Sequence, residues 1–143
     1  MKYIISSLIL FSIIFSLYGC QTITDDSVSL PKDKILKIIR TGNTGVDMLL
    51  GFAESRGKDV IALRETADAS FTLLYSIFEV EINEINYEDL RAAIKQIRDV
   101  GNNALSLCLV SGVSASVIEQ ISIYLNDMYV VLDVVLAHLS SRI

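Results

Sequence analysis

Apolar residues recur every three or four positions through most of the chain, which is the period of an amphipathic α-helix. The most regular run lies near the C-terminus: Ile118, Ile121, Leu125, Met128, Leu132, Val135 and Leu139. Its alternating steps of three and four are close to heptad spacing, so we predict a helix that ends near Ser140. Ser116 and Glu119 have the spacing of a capping box, which predicts the start of this helix.

The predicted last helix is also apolar outside this seam. Its further apolar residues are Tyr124, Val130, Val131 and Val134. A helix that is apolar on most sides is either central in a bundle or covered by a partner. Asp127 and Asp133 argue against a membrane span, because each would cost several kcal/mol at the bilayer centre. This helix is therefore the predicted surface for self-association or for an envelope protein partner.

A second helix is predicted to begin at Asn86, a favourable N-cap that Glu88 and Asp89 follow in the first turn. Apolar and small residues then recur at helical spacing: Leu90, Ile94, Ile97, Gly101, Ala104 and Cys108. Because this phase continues through Gly101, we predict one kinked helix that ends before Gly112. Cys108 is predicted to be a small core residue.

The N-terminal half of the domain shows weaker boundaries. Pro31 suits the start of a helix, and residues 32–40 predict a short one. Residues 41–45 contain two glycines and are predicted to form a linker, with Thr44 capping the next helix. The following apolar pattern fits one long helix with a weak point at Gly57, and it fits two helices equally well.

Residues 78–83 alternate strictly between apolar and polar, which is typical of a strand. Residues 129–136 would be the best strand partner. Because both segments continue helical patterns, helix is the preferred prediction and a strand pair is the alternative. The predicted fold class is all-α: a small antiparallel bundle of three long helices plus a short N-terminal helix, spanning residues 31–143.

A different pattern opens the chain. Lys2 precedes an uncharged apolar run over residues 3–18, which is typical of a signal peptide. At about 1.5 Å per residue, this run is shorter than the roughly 30 Å hydrocarbon core of a bilayer. We therefore predict a cleaved leader over residues 1–19 in preference to a membrane-spanning helix.

The residues that close this run are Leu17, Tyr18, Gly19 and Cys20. Leu17, Gly19 and Cys20 resemble the lipobox that bacterial lipoprotein signal peptidase recognises, whereas Tyr18 is bulkier than the residue usual at its position. The resemblance implies cleavage before Cys20, a diacylglycerol on the Cys20 thiol and an N-acyl chain on its new amine.

The resemblance also implies where in the cell the protein is located. Gln21 is similar to the residue found there in lipoproteins sorted to the outer membrane, which implies the periplasmic face of that membrane in a bacterium with two membranes. Residues 20–30 are then the lipidated cysteine and a polar tether. Ten extended residues reach at most about 35 Å. The domain would therefore work close to the membrane surface.

The net charge of the chain limits the kinds of partner that it can bind. The chain has 12 basic and 17 acidic side chains, and this acidic balance argues against nucleic-acid binding. Membrane residence would need an anchor, since an acidic domain binds anionic lipid poorly. Four basic residues follow the tether and are candidate contacts for lipid headgroups: Lys32, Lys34, Lys37 and Arg40. A solvated helix face is the alternative interpretation of these residues.

Candidate chemistry is sparse, and we predict no catalytic residue, no metal site and no cofactor beyond the acyl chains on Cys20. The one histidine, His138, is predicted to lie on the polar surface of the last helical turn. Glu65 and Asp68 would lie on one helix and not across a cleft, and Arg64 is predicted to pair with Asp68. An acidic cluster is predicted to be solvated, although it would hold a hard cation weakly: Glu79, Glu81, Glu84, Glu88 and Asp89.

These patterns predict a membrane-tethered envelope lipoprotein that acts as a non-enzymatic interaction or accessory module. One alternative is a small enzyme that acts on envelope polymers through acidic residues. It would need a concave pocket with a perturbed carboxylate or His138 at its wall. Another is a surface-exclusion lipoprotein of the phage or plasmid type. Full burial of residues 124, 130, 131 and 134 within the monomer would remove the argument for a partner.

Overall fold

The structure, a computed structural model, describes residues 31–142 as four α-helices joined by short connections. The helices are α1 (Lys32–Ser55), α2 (Ile61–Ile77), α3 (Tyr87–Val110) and α4 (Ala115–Ser140). A 3-10 helix, Ile82–Glu84, lies between α2 and α3, and no strand occurs within these residues. The predicted all-α bundle is confirmed. The predicted leader, Cys20 and tether lie outside the described residues.

Side-chain contacts show how the helices run. Asn43 of α1 contacts Tyr75 of α2, whereas Asp47, further along α1, contacts Arg64. As the residue number rises along α1, the number of the contacted residue in α2 falls, so α1 and α2 are antiparallel. The same reasoning applies to α1 and α4, where Gly42 approaches Met128 and Gly45 approaches Ile121.

Helices α1 and α3 form the centre of the bundle, because each packs against the three other helices. Consequently α2 and α4 lie on opposite sides of this central pair. Gly101 of α3 approaches Tyr129 of α4, and Arg98 pairs with Asp133, so α3 and α4 are antiparallel too. The result is an up-down-up-down four-helix bundle.

Helix α1 continues without a break through residues 41–45, so the predicted linker and the separate short N-terminal helix are wrong. Gly42 and Gly45 are both buried against α4. A Cβ at position 42 would lie 2.9 Å from Cβ of Met128 and closer still to its sulfur, which no side chain tolerates. Gly42 therefore serves a close helix–helix approach, Gly45 has room for a Cβ at ordinary contact distance, and neither glycine forms a turn.

The hydroxyl groups in this stretch are satisfied inside the helix. Thr41 Oγ1 donates to the carbonyl of Lys37, and Thr44 Oγ1 donates to the carbonyl of Arg40, both at 3.0 Å. Each bond runs to the residue four positions earlier, as threonine does within helices. Thr44 is thus not an N-cap, and its polarity is compatible with a continuous helix.

Gly57 does end the first helix, so the two-helix alternative is confirmed at this position. Its φ of +84° lies in the left-handed region, where glycine is the favoured residue. Gly57 N donates to the carbonyl of Glu54, and Lys58 N donates to that of Ala53. These two bonds form a Schellman motif. Gly112, with φ of +77°, ends α3 in the same way.

The connection between α2 and α3 is neither of the predicted alternatives. Helix α2 ends at Ile77, and residues 78–81 form a turn that leads into the 3-10 helix. Phe78, Ile82 and Ile85 are at most 6% exposed, so the connection is held on the core by three apolar side chains. Of the apolar residues in the alternating pattern, Phe78 and Ile82 are buried whereas Val80 is 43% exposed. Residues 129–136 are helical, within α4.

The predicted helix starts are confirmed for α3 and shifted for α4. Asn86 caps α3, since its Oδ1 accepts a hydrogen bond from Asp89 N at 3.0 Å. The cap of α4 is Ser114, whose Oγ accepts from Val117 N. Ser116 lies inside the helix, where its hydroxyl contacts that of Ser114 at 3.0 Å, so the predicted capping box with Glu119 is wrong.

The core follows the predicted seams. All seven seam residues of α4 are buried, with exposed fractions of 7% or less. Cys108 is fully buried as predicted, and its Sγ donates to the carbonyl of Leu49 at 3.0 Å. Its position links α3 to α1 at the centre of the bundle.

We predict that Gly42→Ala destabilises the bundle by about 1 to 3 kcal/mol, because the added methyl group forces α1 away from Met128. Gly51→Ala is the matched control. Gly51 lies on the same helix with no atom within 4 Å of an added Cβ, so this substitution should stabilise by up to about 1 kcal/mol. Urea unfolding of both variants measures the difference, and equal changes would contradict the close-approach interpretation.

Candidate functional site

The described chain begins at one end of the bundle, which we call the tether end. It is formed by the start of α1, the α2–α3 connection and the end of α4. Lys32 Nζ donates to the carbonyl of Glu79 at 3.3 Å, and His138 Nε2 donates to Asn83 Oδ1 at 2.9 Å. These bonds join α1 and α4 to the connection. A chain entering from residue 30 reaches the domain here.

The candidate headgroup contacts all lie in the first turns of α1. Lys34, Lys37 and Arg40 are exposed at intervals of three residues, whereas Lys32 is half-buried. They do not form a uniformly basic end, because the acidic cluster of the α2–α3 connection is exposed at the same end of the bundle. Within residues 31–142, no three His, Cys, Asp or Glu side chains are grouped to hold a metal ion.

His138 is buried, with 8% of its surface exposed, so its predicted place on the polar surface is wrong. Burial lowers the pKa of its imidazole, and the charge of Arg142 lowers it further. The ring is therefore neutral at pH 7, and its N–H is occupied by Asn83. This geometry gives His138 a structural role in fastening the end of α4.

The structure does not bring the other candidate catalytic residues together. Glu65 and Asp68 are exposed on α2. Arg64 does not pair with Asp68 as predicted. It reaches across to α1, where it lies 2.7 Å from Asp47 and 3.3 Å from Glu54. The cross-helix ion pairs form instead of the pair with Asp68 because α1 and α2 are close and antiparallel at this level. They provide two carboxylates for the one guanidinium of Arg64.

A polar cluster between α3 and α4 has no counterpart in the sequence predictions. Arg98 forms an ion pair with Asp133 and stacks over the Tyr129 ring at 5.1 Å from its centroid. Burial raises the pKa of the Tyr129 hydroxyl, partly offset by the Arg98 charge. That hydroxyl lies over Gly101, where a Cβ would collide with it. Among the described residues, Tyr129 Oη and Arg98 Nε are buried without a hydrogen-bond partner.

Beside this cluster, an open groove of about 440 Å³ runs between α3 and α4. Leu105 of α3 forms one wall, and Ile123, Asp127 and Tyr129 of α4 lie along the other. Ile123 and Asp127, which line this groove, also belong to the side of α4 opposite its buried seam. We define the outer face of α4 by five residues: Ile123, Asp127, Val130, Val134 and Ala137.

The bundle covers the outer face of α4 only in part. Ile123, Asp127, Val130 and Val134 are half-buried, and Ala137 is exposed. Of the residues that the sequence analysis marked, Val131 is buried at 4% exposure, whereas Tyr124 is 45% exposed. The argument for a partner is thus removed for Val131 and retained for the other three.

Asp127 is the carboxylate within this outer face. Burial raises its pKa to about 6. The sequence analysis used Asp127 only as an argument against a membrane span. Its position four residues after Ile123 and three before Val130 could have shown that it belongs to a second seam.

By length and composition, α4 is the one helix within residues 31–142 that is apolar enough to cross a membrane. Buried core helices meet the same criterion. The seven-residue seam of α4 packs in the bundle core, which accounts for much of its apolar composition.

Comparisons of this chain with protein-family models, with curated proteins and with solved structures find no match. The functional argument therefore depends on the residues themselves.

We predict that Asp127→Asn stabilises the fold at pH 7 by about 1 kcal/mol, after allowance for solvent screening of a half-exposed group. The raised pKa means that the folded chain binds a proton more readily than the unfolded chain. Wild-type stability therefore falls as the pH rises from 3.8 to about 6, and the variant lacks this loss. Below pH 3.8 the two proteins should converge.

Unfolding curves of dilute protein across this pH range measure the effect. The exposed Asp68→Asn on α2 is the control, and its change should stay within about 0.5 kcal/mol at every pH. A variant no more stable than wild type at pH 7 would contradict the burial of Asp127.

Proposed function

We propose that this protein is a bacterial envelope lipoprotein, anchored through acylated Cys20, whose helical bundle is a non-enzymatic interaction module. The observation that carries the proposal is the sequence around the anchor: Lys2, the apolar run, and the lipobox-like Leu17, Gly19 and Cys20. This module would present the outer face of α4 to a protein partner.

The anchor would be effectively permanent. A single myristoyl chain gives only marginal membrane binding, at about 0.8 kcal/mol per buried CH₂. Two or three chains on Cys20 would make release negligible. Gln21 favours the periplasmic face of the outer membrane where the cell has two membranes.

Position supports a secondary role for the basic residues of α1. Lys34, Lys37 and Arg40 lie at the tether end, within the roughly 35 Å reach of residues 20–30 from the lipid. Each would contribute about 1 kcal/mol close to an anionic surface. The acidic connection at the same end would oppose flat adsorption, and the bundle would stand away from the headgroups.

Two observations favour an interaction role over an enzymatic one. The imidazole of His138 is buried and bonded to Asn83, at the far end of α4 from the groove beside Ile123. Asp127 is a carboxylate of raised pKa at the wall of an open groove, as the enzymatic alternative requires, but the other acid that lines the groove, Glu119, lies on the same helix and not across a cleft. A partly exposed apolar helix face is, by contrast, an ordinary feature of a docking surface.

We predict that Cys20→Ala abolishes both acylation and signal-peptide cleavage. The intact mass of wild-type protein extracted from membranes should equal residues 20–143 plus the acyl chains. The variant should keep residues 1–19 and carry no acyl mass. Cys108→Ala is the matched control, because Cys108 is the other cysteine and is buried in the core, and it should be acylated like wild type.

An unacylated wild-type mass would refute the anchor. Cleavage elsewhere without acyl chains would indicate a free exported domain, and an intact Met1 would indicate an uncleaved leader that holds the protein in the membrane.

A further inference from the structure

The end of the bundle opposite the tether end carries the most exposed apolar side chains. It is formed by the turn after Ser55 and the turn after Val110, and we call it the distal end. Of the seven large apolar side chains most exposed within residues 31–142, three lie here: Ile61 at 68%, Leu109 at 63% and Val110 at 72%. The other four are only 41–45% exposed. Exposed apolar side chains are thus concentrated at one end of the molecule.

The α3–α4 turn at this end lies within the longest uncharged stretch of the described chain. Residues 100–118 contain no Asp, Glu, Lys, Arg or His, although charged residues make up 20% of the chain. Moving a charge out of water is costly, and the turn has no charge to move. It can therefore enter an apolar medium without this penalty.

Three backbone amides of the turn already have hydrogen-bond partners. Ser111 N and Val113 N both donate to the carbonyl of Cys108, at 3.2 Å. Gly112 N donates to the carbonyl of Leu109 at 3.3 Å. In hydrocarbon an amide without a partner is costly, because no water is present to accept its hydrogen. These amides can enter lipid without losing a hydrogen bond.

Two cations border the apolar turn. Arg56 and Lys58 are exposed in the α1–α2 turn, and Nη1 of Arg56 lies 3.9 Å from the position of a Cβ added at Gly112. Asp59 is the acid of the α1–α2 turn, and its Oδ1 accepts a hydrogen bond from Ile61 N at 3.1 Å. Apolar side chains beside lysine and arginine are typical of surfaces that enter the headgroup region of an anionic bilayer.

The tether lets the distal end reach the membrane that holds the anchor. Helix α3 has 24 residues and is about 36 Å long at about 1.5 Å per residue. Residues 21–30 extend to about 35 Å. The bundle can therefore tilt until its distal end meets the bilayer. The acidic α2–α3 connection at the tether end is repelled by an anionic surface, which favours this orientation.

We propose that the distal end is a second membrane contact, in which Leu109 and Val110 insert between lipids of the anchoring membrane while Arg56 and Lys58 bind anionic headgroups. This inference rests on the proposed anchor at Cys20, which keeps the bilayer within reach. Apolar faces of this kind enter about 5 to 10 Å into the boundary between headgroups and acyl chains. Held at two points, the domain keeps one orientation on the membrane.

Fluorescence of the acylated full chain in vesicles of phosphatidylethanolamine and phosphatidylglycerol tests this contact. An environment-sensitive fluorophore is attached at Ala115→Cys, beside the turn, or at Glu81→Cys, at the tether end. The wild-type chain verifies that the buried Cys108 is not labelled. A fluorophore at position 115 should be quenched by nitroxide groups on the acyl chains and shielded from aqueous iodide. A fluorophore at position 81 should show the reverse.

Charge substitution in the chain labelled at position 115 gives a second readout. Val110→Asp should lower the ratio of lipid-inserted to water-exposed label at least about tenfold, because a carboxylate enters lipid poorly. Val80→Asp is the matched control and should leave the ratio unchanged, because Val80 is 43% exposed on the α2–α3 connection. Replacing phosphatidylglycerol by phosphatidylcholine should also lower the ratio, since Arg56 and Lys58 lose their anionic partners. Helicity and thermal unfolding verify that each bundle is intact.

A label at position 115 that stays open to iodide and is not quenched from the lipid would overturn the proposal, as would equal effects of Val110→Asp and Val80→Asp. Shielding from iodide without quenching from the lipid would assign the distal end to a protein contact and exclude lipid. The intact mass of the same samples reports acylation separately. An acylated chain with its label in water refutes the second contact alone, whereas an unacylated chain with a quenched label refutes the anchor alone.

Discussion

The close contact between the first and last helices organises this bundle. Gly42 lets the backbone of α1 approach Met128 of α4 more closely than any larger residue permits, whereas a Cβ added at Gly45 would meet Ile121 and Leu125 at ordinary contact distance. This contact fixes how far α4 rolls around the bundle axis. Its inner seam is thereby turned into the core, and Ile123, Val130 and Val134 are left on the outside. The half-buried outer face is thus the side of α4 that the contact with α1 turns away from the core.

Periodicity was sufficient to predict the helices whose apolar residues pack on one side. The seam of α4 and the Asn86 cap of α3 are where the pattern placed them, because local spacing and burial agree there. It failed at residues 41–45, where the reason for glycine is a neighbouring helix that the local sequence does not contain. It also failed at residues 78–83, since Phe78 and Ile82 anchor a turn to the core while the alternating Val80 between them is exposed.

The candidate site was predictable only in part, because most of its contacts join segments that are distant in the sequence. The lipobox-like residues are contiguous, so a linear pattern identifies them, although they lie outside the described residues and the anchor stays a prediction. Asp127 and the Arg98–Tyr129–Asp133 cluster depend on distances between α3 and α4. His138 could not be placed from the sequence, because its partner, Asn83, is on a connection 55 residues away.

The short hydrogen-bonded turns after Ser55 and Val110 have a consequence for the order in which the chain can assemble. Each turn closes a hairpin of two helices from local sequence, and such contacts form quickly because little loop entropy is lost. The contact of Gly42 with Met128, by contrast, joins positions separated by most of the domain. A chain still emerging from a ribosome or a translocation channel can fold its hairpins, but it cannot close the bundle until its last helix is free. The domain therefore remains open until its last helix has been released.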